Sequence, residues 1–311
     1  MNSGIFDPFI EKNGVVILDG AMATELEKRG ADLNHALWSA KLLTENPNLI
    51  KQVHQDYLQA GADIITTASY QASFTGFFSQ GFNSEKAAEL MKLATLLAIE
   101  AREEAQKKNY FKEQKPLIAA SVGPYGASLA DGSEYRGDYG LSVEELMSFH
   151  RARMKLLSES GAELLACETI PCPEEAIALI RLLKEFPGVQ AWLSYSCKNK
   201  TEVCSGYSFA ECVALANESE QVVAVGVNCT DPQFVESLVT IARNVSRKHV
   251  LAYPNKGEIW DAQHKCWQPA LTHTDFVKEA SSWLKAGATL IGGCCRSSPE
   301  DIKNLRSALC N

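Results

Sequence analysis

The chain has 311 residues, 46% hydrophobic and 22% charged, with 30 Lys and Arg against 38 Asp and Glu for a net charge of −8. A chain of that size and balance buries a large core. Its acidic surplus, without a basic run or basic-aromatic interleaving, argues against nucleic acid and against acidic partners. The segment Met1 to Asn13 lacks a signal-peptide core, and no run approaches the roughly 18 apolar residues of a membrane span. The expectation is therefore a cytoplasmic protein, with no membrane partner, whose ten cysteines stay reduced.

Strands and helices alternate from end to end. The apolar, β-rich runs are Val15–Leu18, Asp63–Thr67, Leu117–Val122, Leu164–Cys167, Val189–Tyr195, Val222–Val227, Val250–Tyr253 and Thr289–Ile291. Helical patterns lie between them, such as Ala87, Leu90, Met91, Ala94, Leu97 and Ala98, whose spacing of three and four builds one apolar face. Helix starts are marked by a capping residue and proline at Asn46-Pro47, Asp231-Pro232 and Ser298-Pro299, and Ser142 with Glu145 predicts a capping box. Gly61, Gly161 and Gly287 each stop a helix just before an apolar run, as if one unit were reused.

Eight such units without a charged linker predict an α/β fold, a single (β/α)8 TIM-type barrel over residues 1–311. The rival, a doubly wound open sheet, would place Gly-x-Gly-x-x-Gly after its first strand, and none is there. A barrel collects its chemistry at the C-terminal ends of its strands. Cys229 closes the sixth run and Cys294-Cys295 the eighth, so three sulfurs would meet there. Three thiolates make an open zinc site, since structural zinc sites fill all four positions with protein ligands. Gly292 and Gly293 would let the strand end bend so that adjacent sulfurs face one ion. Other strand ends carry Asp19, Thr67, Glu168 and Asn228. Two carboxylates facing one pocket suit an ammonium group, and free amides of Gly20 and Ala21 would hold a carboxylate. An amino acid whose soft sulfur reaches the zinc satisfies all these groups together.

The segments Asp19-Gly20-Ala21-Met22, Gly226-Val227-Asn228-Cys229 and Gly292-Gly293-Cys294-Cys295 resemble the zinc-dependent homocysteine S-methyltransferases, over about Val15 to Leu309. The resemblance implies zinc on Cys229, Cys294 and Cys295, with homocysteine as fourth ligand. It also implies that Asp19 and Glu168 take the homocysteine amino group, that the Gly20 and Ala21 amides take its carboxylate, and that Thr67 lines the site. The loop from Ser121 to Tyr139 looks like the branch that uses S-methylmethionine or S-adenosylmethionine. Betaine users have tyrosine where Gln71 and Thr169 stand, although Trp38 is retained. A sulfonium would sit against Trp38, Tyr125 or Tyr135, with Glu134 or Asp138 balancing its charge.

Two other classes stay open. A structural zinc would need a fourth protein ligand, with Cys197 or Cys204 the candidates in type. A barrel aldolase or isomerase would need a strand-end lysine, for which Lys256 is the candidate. The remaining cysteines, Cys167, Cys172, Cys212, Cys266 and Cys310, read as packing. The oligomeric state leaves no readable mark in the sequence.

Overall fold

The computed structural model describes residues 4–310 apart from 36, 112–113, 258, 262–265 and 269–274. The ends of the predicted 1–311 barrel and the Cys266 side chain lie outside what is described. Eight parallel strands form the sheet: β1 (Val16–Ile17), β2 (Ile64–Thr66), β3 (Leu117–Val122), β4 (Leu164–Ile170), β5 (Ala191–Tyr195), β6 (Val222–Asn228), β7 (His249–Tyr253) and β8 (Leu290–Ile291). Each pairs with the next in chain order, and β8 returns to β1. The bridge from Leu18 to Ile64 joins β1 to β2 and closes the ring. The expected (β/α)8 barrel is therefore observed. A short antiparallel hairpin, Ile259–Asp261 with Cys266–Gln268, is inserted after β7.

Every strand is covered on both faces, which is why the runs read as continuously apolar. One core packs strands against helices and includes Ile17, Ile65, Leu165, Leu193 and Ile291. The other fills the barrel with Val16, Ile64, Ala119, Leu164, Ala166, Trp192, Leu251 and Leu290, and is plugged by Phe9 of the first helix (Asp7–Asn13) and by Phe6, which immediately precedes it. Stepping by two along the inward face toward the C-terminal ends, the lining turns polar, reaching Thr66, Ser121, Glu168, Ser194, Asn228 and Tyr253. The barrel thus carries a dry floor and a polar top layer.

The helix signals hold with two exceptions, Asn46 and Gly161, the latter lying two residues beyond the Glu159 C-cap of the helix Val143–Ser158. Ser142 and Glu145 form the capping box, Asp231 and Ser298 cap their helices, and Gly61 and Gly287 are left-handed C-caps. Asn46 makes no side-chain cap; its backbone also ends the preceding helical turn, at φ −155°. No helix among the described residues is long and apolar enough to cross a membrane.

Candidate active site

The strand ends open into a cavity of about 750 Å³. Cys229 follows β6 directly, and Cys294 and Cys295 follow the Gly292-Gly293 pair after β8. Their three sulfurs lie within 4.8 Å of one another, and no fourth metal-ligating side chain joins the cluster among the described residues. Cys197 and Cys204 thus stand outside it. Three soft donors at this spacing fit a single metal ion with one position left open.

The same closeness serves a second chemistry. Cys229 and Cys294 are joined as a disulfide here, while seven described cysteines, Cys295 among them, are free. Sulfurs gathered to share an ion are also near enough to bond to each other, and the two uses exclude one another.

Glycine plays a different part from the one expected. Gly292 and Gly293 do not have positive φ. A methyl group at Gly292 would meet Leu18 and the Asp19 carbonyl, and one at Gly293 would collide with the Ser297 side chain. Close approach, of the Leu18-Asp19 strand end at Gly292 and of the turn carrying Ser297 at Gly293, rather than a special backbone bend, requires them. The unusual backbone sits elsewhere. Trp38 (φ 46°), Ala130 (55°), Thr169 (62°) and Cys229 (46°) all line the cavity with left-handed φ, and Arg296 (72°) follows Cys295. Such strain persists only where its surroundings over-determine it. At Thr169 the surroundings are visible: its N–H donates to Asn228 Oδ1 (2.7 Å), and its hydroxyl accepts from Asn228 Nδ2 (2.7 Å). The resulting register shift between Cys167 and Ile170 marks the stretch that carries Glu168.

Asp19 and Glu168 face the cavity from β1 and β4, both buried. Asp19 accepts the Thr66 N–H (2.7 Å) and the Thr66 hydroxyl (2.9 Å). Burial pushes it up to about 7 against those hydrogen bonds, and the neighbouring Glu168 adds to the shift. Glu168 is also raised to about 7 by burial; Ser121 Oγ donates to its Oε1, and the Tyr253 hydroxyl lies 3.0 Å from its Oε2. Two buried carboxylates without a cation define a site for positive charge.

The amides were expected to be free, and one is not. Ala21 N–H donates to Ser297 Oγ (3.2 Å), because the turn after Cys295 packs over Gly20; the Gly20 N–H has no acceptor among the described residues. Thr67 and Asn228 line the cavity, but their polar atoms are spent within the protein: Thr67 Oγ1 accepts the Ser121 N–H, and Asn228 holds Thr169, accepts from Ser194 and approaches Cys294 Sγ at 4.0 Å.

The opposite wall is aromatic and comes from loops. Trp38 and Tyr70 meet edge to face at 6.0 Å, and Tyr135, Gln71 and Glu134 stand beside them. Burial raises Glu134 to about 7. Its Oε2 and the Gln71 Oε1 are buried without partners. Arg153, wholly buried, donates to the carbonyls of Tyr70, Ala72 and Gly123 and so fixes this wall from behind. Two expected donor contacts are placed elsewhere. Tyr125 packs in a cluster with Tyr139 and Phe149, at 5.2 and 5.0 Å, and does not line the cavity. Asp138 is exposed and pairs with Arg136. Lys256 is likewise absent from the lining and is held by Asp301 at 2.8 Å. Among the described residues six carboxylates line the cavity (Asp19, Glu27, Asp32, Asp131, Glu134 and Glu168), and no lysine or arginine does.

The model of the family described as homocysteine S-methyltransferase matches residues 16–309. The homocysteine S-methyltransferase YbgG of Bacillus subtilis (strain 168) is 50% identical over 293 residues, covering 94% of this chain and 93% of that one. The chain belongs to the homocysteine S-methyltransferase family. Within that family the selenocysteine Se-methyltransferase of Brassica oleracea var. italica is 46% identical, with 96% of this chain and 90% of the relative covered. The metallated form of the homocysteine methyltransferase MmuM from Escherichia coli superposes with a TM-score of 0.87 at 40% identity, covering 97% of this chain and 99% of that one. This is a methyltransferase family, and the cluster that could hold its metal is Cys229, Cys294 and Cys295.

Proposed function

We propose that the chain transfers a methyl group from a sulfonium donor, S-methylmethionine or S-adenosylmethionine, to homocysteine, giving methionine, with zinc held by Cys229, Cys294 and Cys295. The observation that carries this is the incomplete sulfur cluster opening onto a cavity lined by acidic side chains and, opposite the sulfurs, by aromatic rings. Zinc supplies Lewis acidity that makes a thiol acidic enough to be a thiolate near neutral pH. Asp19 and Glu168 bind the homocysteine ammonium, and the Gly20 N–H takes its carboxylate. Thr67 shapes the pocket, and Asn228 steadies the cysteine side of the site through its approach to Cys294. These contacts point the acceptor sulfur toward the aromatic wall.

There Trp38, Tyr70 and Tyr135 present ring faces and edges to the donor, and the unpartnered Glu134 oxygen balances its positive charge. As the new carbon–sulfur bond forms, the donor's old one breaks and its electron pair stays on the departing thioether. The leaving group is neutral, so no acid is needed. The walls contribute alignment. S-methylmethionine would yield two methionines.

The charge of the cavity discriminates among donors. A sulfonium amino acid carries one net positive charge and betaine carries none, so six lining carboxylates favour the former. Side-by-side kcat/KM measurements with S-methylmethionine and betaine test this. Greater efficiency with S-methylmethionine is expected, and the reverse would overturn the assignment. We place the reaction in the cytoplasm.

A further inference from the structure

Glu168, Tyr253, Ser194 and Asn228 form a chain of buried hydrogen bonds beneath the cavity, and its hydrogens can be counted. The Thr169 backbone N–H faces Asn228 Oδ1, which fixes the orientation of that amide. Ser194 Oγ lies 2.8 Å from the same oxygen, which has no hydrogen, so the Ser194 hydroxyl donates there. Serine has one hydrogen. The 2.6 Å contact between Ser194 and Tyr253 is therefore made by the tyrosine's hydrogen. Trp192 Nε1, always a donor, approaches the same phenol oxygen at 3.1 Å. Nothing is then left on Tyr253 to give to Glu168 Oε2, 3.0 Å away. Two buried oxygens in contact need a hydrogen between them, and Glu168 is its remaining source. Asp19 differs: both its oxygens face Thr66 donors, so its hydrogen bonds require no proton, although burial raises it too.

We propose that the Asn228–Ser194–Tyr253 chain holds Glu168 as a neutral acid in the free protein, and that the incoming substrate ammonium displaces this proton to solvent. The inference rests on Glu168 being the ammonium site, as read above. On binding, the Glu168 O–H bond breaks, its electron pair stays on the carboxylate, and the proton leaves to water. The buried site thereby gains a carboxylate only as it gains a cation. Tyr253 and Ser194 are positioning residues that act through Glu168. The titratable groups facing Glu168 are Asp19 from β1, Tyr70 after β2, Cys167 on β4, Tyr253 on β7 and Cys295 after β8. All lose a proton to become anions, so none favours an ionised Glu168 in their midst. Its upward shift runs the same way.

The test is calorimetric titration of L-homocysteine into the zinc-loaded protein at pH 6, in two buffers of unlike ionisation enthalpy, which counts released protons. The substrate thiol supplies one and Glu168 a second, so at least about two are expected from the native protein. Ser194→Ala lets the Tyr253 hydrogen turn to Glu168 and favours the carboxylate, so release should fall by about one. Its acid limb in kcat/KM for homocysteine should move to lower pH. A native count of one, or an unchanged count in Ser194→Ala, overturns the proposal. Should Ser194→Ala not fold, infrared difference spectra of the native protein decide: a protonated-carboxyl band must vanish on adding homocysteine and be missing from Glu168→Gln. Persistence of that band contradicts the proposal. If homocysteine gives no binding heat with native protein, it is the functional reading that fails.

Discussion

On the cysteine side of the cavity, each polar side chain leaves a barrel strand end and is tied to another strand: Asp19 to Thr66, Glu168 to Ser121 and Tyr253, Asn228 to Thr169 and Ser194. On the aromatic side the groups hang from loops, and two buried oxygens, of Gln71 and Glu134, have no partner. Buried polar atoms are rarely left this way, because each costs about 1–3 kcal/mol. On the proposed reading, the acceptor half is preorganised by the barrel itself, while the donor half is completed by what enters it. Substitutions on the two sides should therefore fail differently.

The largest effect is expected at the sulfurs. Cys229→Ser or Cys294→Ser should lose both bound zinc and methionine formation, by about 10³-fold or more, since an ion contributes several kcal/mol to such a reaction. Metal analysis alongside the activity assay checks it, and full activity without metal would break the comparison at its root. Next comes the ammonium site: Glu168→Ala should raise the homocysteine KM by about 10²-fold, as expected for one partner of a buried charge pair, with donor KM nearly unchanged. Glu134→Gln should invert that pattern, raising the donor KM by roughly 10-fold through loss of a facing charge in a partly desolvated site. Equal effects of Glu134→Gln on both substrates would erase the distinction between the halves. Trp38→Leu should cost the sulfonium donor a further, smaller factor of about 3 to 30.

The smallest effect concerns pH. Asp19, Glu134 and Glu168 are each raised to about 7 in the folded protein. Between their unfolded values near 4 and about 7, the folded state binds protons that the unfolded state has released, so stability falls as pH rises through that window. The ligand-free protein should melt about 2–4 °C lower at pH 8 than at pH 5.5 from this contribution, and Glu168→Gln should flatten the slope. Homocysteine binding should run the other way and weaken as pH drops below 7.

The barrel and its sulfurs were legible because they follow from short-range regularities. Apolar runs, caps and Gly61, Gly161 and Gly287 fix the alternation of elements, and a strand-end position is enough to bring Cys229 to Cys294. Side-chain direction was harder to read. Tyr125 begins a helix, Tyr125–Leu129, that turns its ring toward Phe149, which sequence proximity to the donor loop cannot reveal. Tyr70, next to the noted Gln71, was overlooked for the same reason, since loops have no fixed period. Ser121, Ser194 and Tyr253 could have been found: each lies two residues beyond an inward-facing core residue, Ala119, Trp192 and Leu251. The part played by Gly292 and Gly293 depends on Leu18 and Ser297, which only the closed ring brings near them.

The most direct test of the central claim is sulfur coordination in a cobalt-substituted, fully reduced sample, read by its thiolate-to-metal absorption before and after homocysteine. Three sulfur ligands rising to four on addition of substrate is the predicted result. Four from the protein alone, or no change when homocysteine binds, would contradict it.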